Sequence, residues 1–216
     1  MVLGHLRESL DMLPNFLIRP LTSADIPRLV EIDAEFESDR FLDVEKTTDG
    51  LNVSWRLIER SLDPPFRSSD YSLSRQQRQE VGVRLRAGDG LYLIVEDEHT
   101  GRLAALFDME RERWRDTATI WNILVDRACR RHGLGRELIR RAIDWAREQG
   151  LRAIVLETQT NNLDACRFYY AMGFKLCGLD DHFYSNDDIG VKEVAVFWWY
   201  DLLSPVGTWE RPGVRA

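Results

Sequence analysis

The sequence lacks the features that mark several large classes of protein. None of its runs approaches the roughly 20 apolar residues of a transmembrane helix, so we expect no membrane partner. The first residues also lack the uninterrupted apolar core of a secretion signal. The formal net charge is −7 over 216 residues. This charge leaves no basic excess for phosphate backbones and disfavours nucleic acid as the main partner.

Cysteine and histidine are too few and too scattered for the sites that they commonly build. The three cysteines (Cys129, Cys166 and Cys177) have no zinc-site spacing, and their odd number argues against a disulfide framework. We therefore expect reduced thiols, a cytoplasmic location and no bound metal. The four histidines are scattered and no nucleophile elbow is visible, so Ser-His-Asp catalysis finds no support.

The chain is predicted to form one domain with an extension at each end. Its 44% hydrophobic content is enough for a full core. Leucines at helical spacing in residues 1–14 indicate either a short helix or a frayed extension. The domain itself spans residues 15–203, and a tail rich in Pro and Gly follows at 204–216. The leucines of the first segment and the aromatic residues near 197–200 fit a homodimer interface, but core packing explains them equally well.

The periodicity of apolar residues predicts a mixed sheet with helices on both faces, hence an α/β (α+β) protein. A parallel pair is expected where residues 118–125 and 153–158 are joined through a helix, by a right-handed crossover. We expect Thr22 or Ser23 to cap the first helix, and Asn161 or Asn162 to cap the last. The first predicted elements are a strand at 15–21, a helix to about 36, a hairpin at 41–62 ended by residues 63–65, and a polar loop at 66–72. A helix then begins at the capping box of Ser74 and Gln77, and strands follow at 91–96, 103–111 and 118–125. The last elements are a helix from 134 that ends at Gly150, a strand at 153–158, a helix at 163–172, and strands at 174–178 and 193–202.

A basic, glycine-punctuated turn at residues 130–135 is the clearest chemical feature. It lies between a buried strand and a helix, and the first amides of a helix have no internal partner and favour an anion. Gly133 and Gly135 lack side chains, so a phosphate can approach these amides closely. Arg130 and Arg131 add positive charge. The turn lacks the Lys-Ser/Thr of a P-loop and the three glycines of a dinucleotide site, and a tight strand-to-helix connection is the alternative explanation.

Two motifs resemble the signatures of the GNAT superfamily of N-acetyltransferases. Arg130-x-x-Gly133-x-Gly135 resembles the signature that binds the acetyl-CoA pyrophosphate. Asn162-x-x-Ala165-x-x-x-Tyr169-x-x-x-Gly173-Phe174 resembles the second signature. Further positions are similar to the streptothricin acetyltransferase group: Leu103, Ala104, Trp114, Ile123, Val125, residues 174–180 and Tyr184. The likeness runs from about 19 to 202, and implies a mostly antiparallel twisted sheet with a parallel pair at its centre.

The resemblance implies an acetyl-CoA-dependent enzyme and a role for each matching residue. Tyr169 would protonate the departing thiolate, which a phenol with a pKa of about 10 can do. The backbone of Ile123 and Val125 would pair with the pantetheine arm as another strand does. A backbone N–H of Val125, or of its neighbour Leu124, would hold the oxyanion. Asn162 would cap its helix and touch the cofactor. The pyrophosphate would lie against the amides of Gly133, Leu134, Gly135 and Arg136, beside the charges of Arg130 and Arg131.

One departure from this pattern concerns the group that removes the amine proton. The streptothricin group carries acidic residues just before the valine of this strand, and Asn122 and Leu124 stand there in this chain. Leu124 cannot act as a base, so water or another carboxylate must. The candidate carboxylates are Asp108, Glu110, Glu157 and Asp180.

The expected function is direct transfer of an acetyl group to a primary amine of a small cationic molecule, with a streptothricin-like antibiotic as one possibility. Acetylation of a protein N-terminus or lysine is the first alternative. The second is a non-catalytic, acyl-CoA-binding regulatory module. An acyl group larger than acetyl also stays open.

Overall fold

The computed structural model of the protein describes residues 13–68 and 73–203. The predictions for residues 1–12, for the loop at 69–72 and for the tail at 204–216 lie outside the described residues. In chain order the elements are β1 (Phe16–Pro20), β2 (Glu37–Asp49), β3 (Asn52–Arg67), α1 (Arg75–Ala87), β4 (Gly90–Asp97), β5 (Leu103–Glu112), β6 (Thr117–Val125), α2 (Leu134–Glu148), β7 (Ala153–Gln159), α3 (Leu163–Ala171), β8 (Lys175–Asp180), α4 (Asp188–Val191) and β9 (Ala195–Asp201).

The main sheet has seven strands in the order β1-β4-β5-β6-β7-β9-β8. Its neighbouring strands are antiparallel except for β6 and β7, which are parallel and lie at its centre. This arrangement confirms the predicted fold class. The strand β9 lies between β7 and β8. Core packing accounts for its buried Trp198, whereas Phe197, Trp199 and Tyr200 are only partly buried.

Two hydrophobic clusters cover the two faces of the sheet. Successive residues of β4 alternate between them, because side chains of a strand point to opposite faces in turn. Leu93 and Val95 join the cluster that contains the apolar face of α2 and part of α3. Tyr92 and Ile94 join the cluster that contains Val81 of α1. Helices therefore lie on both faces, as predicted.

The hairpin of β2 and β3 forms a separate two-stranded sheet and is longer than predicted. We expected residues 63–65 to end it, and this expectation was wrong. Pairing resumes beyond the prolines, where Ser38 lies opposite Phe66. The register shifts between Ser38 and Arg40, so the prolines lie in a bulge, where a missing backbone donor breaks no ladder hydrogen bond.

The first predicted helix is only a short 3-10 helix, Ile26–Glu31, and neither Thr22 nor Ser23 caps it. The Asp25 carboxylate precedes this helix and accepts hydrogen bonds from the Thr22 amide at 2.9 Å and from the Arg19 guanidinium at 2.8 Å. The helix α4 was not predicted, because four residues are too few for a periodic pattern.

The capping predictions for the longer helices were correct. Ser74 and Gln77 form a capping box at the start of α1. The side chain of Asn162 accepts the Ala165 amide at 3.2 Å and caps α3. Gly150, after α2, has a φ of 67° and Gly173, after α3, a φ of 89°. Both values lie in the left-handed region that glycine adopts at helix ends.

Candidate functional site

The site begins where the central parallel strands separate. The strands β6 and β7 pair only from Thr117 with Ala153 to Ile120 with Leu156. On the other side of β6, a bulge at residue 121 shifts the register against β5. Beyond the bulge, no strand of the described chain pairs with the β7-facing edge of residues 121–125. Backbone groups on such an edge can bind an extended ligand in the manner of an added strand.

A groove of about 810 Å³ runs from this edge to the first turn of α2. Its lining includes every residue predicted to bind the cofactor: Ile123, Leu124, Val125, Arg130, Arg131, Gly133, Leu134, Gly135, Arg136, Asn162 and Tyr169. The structure thus brings these residues together, although they come from β6, the turn before α2, α2 itself and α3. The contact of each residue with a cofactor stays a prediction.

Two glycines shape the end of the groove for different reasons. Gly133 is the N-cap of α2 and has a φ of 86°, which favours glycine strongly. Gly135 has an ordinary backbone, but a Cβ atom there would lie 3.2 Å from Cζ of Phe168 on α3. The sequence suggested only that a phosphate needs space at Gly135. The structure adds that Gly135 permits close packing between the start of α2 and α3.

The two arginines of the turn differ in what their side chains contact. The guanidinium of Arg130 donates to the backbone oxygen of Ala34 at 2.8 Å and to that of Val125 at 3.3 Å. Burial holds the pKa of Arg130 below its usual value. Arg131 and Arg136 are exposed on the same groove. Arg130 therefore braces the turn against β6, and the more accessible positive charge belongs to Arg131 and Arg136.

Tyr169 lies where the groove meets a second, smaller pocket. It is 7% exposed, and its ring packs against those of Phe168, Phe174 and Trp198, with centroid distances of 5.4, 5.9 and 6.2 Å. It is among the residues that line both cavities. A group bound in the groove and a group bound in the pocket would therefore both approach this tyrosine.

The second pocket has a volume of about 400 Å³ and lies between β6, β7 and α1. Trp121 and Asn122 of β6 line it, as does Glu157 of β7. Gln77 of α1 and the preceding Leu73 complete it from the other side. From the sequence, Gln77 was predicted to take part only in the capping box. No local pattern could have placed it in a pocket, because the contact arises from packing of α1 on the sheet.

The four candidate carboxylates occupy different environments. Asp108 is fully buried, and it accepts hydrogen bonds from Arg84 Nε and Asn122 Nδ2, both at 3.0 Å from its Oδ2. Burial raises the pKa of Glu110, and Asp180 accepts the His182 amide at 3.0 Å. None of these three lines either cavity.

Glu157 is the candidate carboxylate that lines the pocket. Its Oε1 accepts a hydrogen bond from the Tyr184 hydroxyl. Burial is the main reason why the pKa of Glu157 is raised, and the nearby Glu193 adds to this effect. Of the four candidates, Glu157 is therefore the one that the geometry places at the pocket.

The described residues contain neither a helix suited to crossing a membrane nor a cluster of side chains suited to a metal ion. No helix among them has both the length and the apolar character needed to cross a bilayer. In residues 13–68 and 73–203, His, Cys, Asp and Glu side chains nowhere gather in groups of three or more that suit a metal ion.

Comparison with known proteins shows that this chain is similar to acetyltransferases in both sequence and structure. Streptothricin acetyltransferase A of Bacillus subtilis (strain 168) is 35% identical over 112 residues, which is 48% of this chain and 64% of that protein. The match thus spans a little less than two thirds of the relative's length. The crystal structure of nourseothricin acetyltransferase has a TM-score of 0.72 and 26% identity, and covers 87% of this chain and 99% of its own.

A structure of a Bacillus anthracis str. Ames protein in complex with acetyl coenzyme A is also similar. Its TM-score is 0.67 at 25% identity, with 86% of this chain and 97% of that chain covered. The family model described as the acetyltransferase (GNAT) family matches residues 54–174, more than half of the sequence. This range holds β6, the glycine turn, α2, β7 and α3, and thus both motifs. The chain therefore belongs to the acetyltransferase (GNAT) family.

Proposed function

We propose that this protein is an acetyl-CoA-dependent N-acetyltransferase that transfers acetyl directly to a primary amine of a small cationic molecule. One observation carries the proposal. The groove at the start of α2 and the pocket that contains Glu157 meet at Tyr169. A donor in the groove and an acceptor in the pocket would thus meet beside a proton donor, with a carboxylate on the acceptor side.

The donor half of the site uses the groove. The first amides of α2, from Gly133 to Arg136, hold the pyrophosphate, and the exposed Arg131 and Arg136 add charge. The pantetheine arm pairs with the free edge of β6 at Ile123 to Val125. Asn162 caps α3 and touches the cofactor. The groove volume of about 810 Å³ suits a ligand of this size.

The acceptor half of the site uses Glu157. Its carboxylate takes a proton from the ammonium form of the acceptor, and its raised pKa suits a base that works near neutral pH. The neutral amine then attacks the thioester carbon, while a backbone N–H of Val125 or Leu124 stabilises the oxyanion. The attack forms the N–C bond, and collapse of the intermediate breaks the C–S bond as Tyr169 protonates the departing thiolate. The nitrogen loses its second proton to water, and Tyr169 regains a proton from solvent. The products are the N-acetylated amine and the CoA thiol.

The pocket favours a small, cationic acceptor. Its volume of about 400 Å³ is modest, and α1 closes one side of it. Glu157 supplies an acidic group, and the whole chain carries a net charge of −7. The name of the Bacillus subtilis relative supports a streptothricin-type antibiotic as one acceptor to test.

A thiol-release assay with acetyl-CoA over a panel of amines tests this proposal. The panel contains a streptothricin-type antibiotic, a polyamine, free lysine and peptides with a free N-terminus. The expected result is CoA release with small cationic amines and loss of that activity in Glu157→Gln. Acetylation of peptides alone would favour a protein acetyltransferase. Tight binding of CoA without turnover of any amine would favour the non-catalytic module.

We further propose that residues 15–203 form a single domain and that the protein works in the cytoplasm. The described part of the chain includes all three cysteines, and all three are free thiols. This supports a reducing compartment, in which structural disulfides are rare. Fractionation of the native host would test the location, and expression of residues 15–203 alone would test the domain limits.

A further inference from the structure

We propose that Tyr184 is a positioning residue, whose hydroxyl holds the Glu157 carboxylate in the orientation in which it accepts the acceptor's proton. This inference rests on the proposed function, because it assigns Glu157 the role of base. Tyr184 lies outside both signature motifs and is not in contact with the cofactor groove. It belongs to the loop between β8 and α4.

The geometry around Glu157 provides the first support. The Tyr184 hydroxyl donates a hydrogen bond to Oε1 of Glu157. Phe197 lies opposite Glu157 in the pairing of β7 with β9. The ring of Phe183 stands edge-on to those of Phe197 and Tyr184, with centroid distances of 5.8 and 5.0 Å. The carboxylate is therefore flanked by aromatic groups, and one of its oxygens is held by a phenol.

The loop that carries Tyr184 is itself fixed by hydrogen bonds. The backbone N–H of Tyr184 donates to the buried carboxylate of Asp188 at 3.0 Å, and the Ser185 hydroxyl donates to the same carboxylate at 2.6 Å. At the other end of the loop, Asp181 accepts Lys46 Nζ of the β2–β3 hairpin at 2.6 Å. The phenol is thus presented from an anchored backbone, as a group that orients another must be.

The chemistry of a carboxylate base explains why this contact matters. A base must aim one oxygen at the proton that it removes, and a donor on the other oxygen restricts rotation of the group. A hydrogen bond to the charged form also favours that form. Burial and Glu193 raise the pKa of Glu157, and the Tyr184 hydrogen bond opposes them. Burial and the charge of Glu157 contribute to the raised pKa of Cys166 on α3, and Tyr169 is the phenol that lines the pocket with Glu157.

The test replaces Tyr184 by Phe, which keeps the ring and removes the hydroxyl. The control is Tyr170→Phe, the same change at an exposed position of α3. The pH profile of kcat/KM for the acceptor is measured in the wild type and both variants. In Tyr184→Phe we expect the acid limb to move up by about one pH unit, with about tenfold lower kcat/KM near neutral pH. The KM for acetyl-CoA should stay unchanged, because Tyr184 lies outside the groove.

A second measurement tests the hydrogen bond between Tyr184 and Glu157 without measuring catalysis. The titration of Glu157 is followed by NMR of protein labelled at the glutamate carboxyl carbons, with Glu157→Gln to assign the signal. Tyr184→Phe should raise this pKa, and Tyr170→Phe should not. An active wild type whose profile and Glu157 titration are unmoved by Tyr184→Phe overturns the inference and leaves the proposed function standing. A wild type that acetylates no amine overturns both.

Discussion

Replacement of Tyr169 by Phe would remove one hydroxyl group from the point where the groove and the pocket meet. The ring is 7% exposed and packs against three other aromatic rings, and the variant keeps all of these contacts. The fold and the walls of both cavities should therefore survive the change. What disappears is the group proposed to protonate the departing thiolate.

The expected loss of rate follows from the value of a general acid. Such a group contributes about 10²- to 10⁴-fold to a reaction. A thiolate is a fairly good leaving group, since the pKa of a thiol is about 8.5, so its departure needs less help than that of an alkoxide. We therefore expect kcat to fall by about 10²-fold, which corresponds to roughly 2.7 kcal/mol of the activation barrier. The affinity for acetyl-CoA should change by less than about twofold, because the hydroxyl acts in the chemical step.

Initial rates of thiol release, measured as both substrates are varied, give kcat and the two KM values. Calorimetric titration gives the affinity for acetyl-CoA separately. The control is Tyr170→Phe, the same change at the next residue, where the side chain is 60% exposed. A kcat for Tyr169→Phe within about threefold of the wild type across the neutral pH range would refute the assignment of Tyr169 as the acid.

Three further predictions test the groove, the pocket and the packing beneath them. Gly135→Val should weaken acetyl-CoA binding by at least about tenfold, since a Cβ there meets Phe168 at 3.2 Å and the side chain enters the groove. The control is Gly178→Val, where a Cβ would have no atom within 4 Å, and the affinity for acetyl-CoA measured by calorimetry should not change. Gln77→Glu keeps the capping box and adds a negative charge to the pocket, so the KM of a cationic acceptor should fall several-fold. The same change at Gln76, which does not line the pocket, should leave this KM unchanged, and an equal response would contradict our placement of the pocket. Arg84→Met should cost about 3–5 kcal/mol in urea unfolding, because it leaves Asp108 buried without its cation, and adding Asp108→Leu should restore much of the loss.

Much of the fold was predictable because its signals are local. The apolar periodicity of α2, the capping box at Ser74 and the Asn162 cap are each contained in a few consecutive residues. The errors fall where local signals compete. Asp63-Pro64-Pro65 is a strong turn pattern, yet β3 passes through it, because the prolines lie in a bulge of a two-stranded sheet. The helix after β1 is only a 3-10 helix, and the Thr22 hydroxyl donates to Asp25 instead of accepting a helix amide.

In the candidate site too, the predictable features are local in sequence and the unpredictable ones depend on tertiary packing. The predicted cofactor residues lie in two short motifs and in the strand before the first, and the structure brings them to one groove. Their contact with a cofactor stays a prediction. The second pocket could not be derived from local patterns, since it joins Gln77, Trp121 and Glu157 from three distant elements. The sequence alone left four carboxylates as candidates for the group that removes the amine proton. Only their surroundings separate them, because Arg84 already neutralises Asp108 while Glu157 faces the pocket.

The glycine turn at the start of α2 and the capped helix that carries Tyr169 follow from the sequence alone. Each is fixed by interactions between near neighbours, whose energies do not depend on the rest of the molecule. Only the packing of distant segments shows that β6 and β7 separate after Ile120, that Gln77 lines the pocket, and that Tyr184 reaches Glu157. These features depend on which distant surfaces pack together, and no stretch of neighbouring residues encodes them.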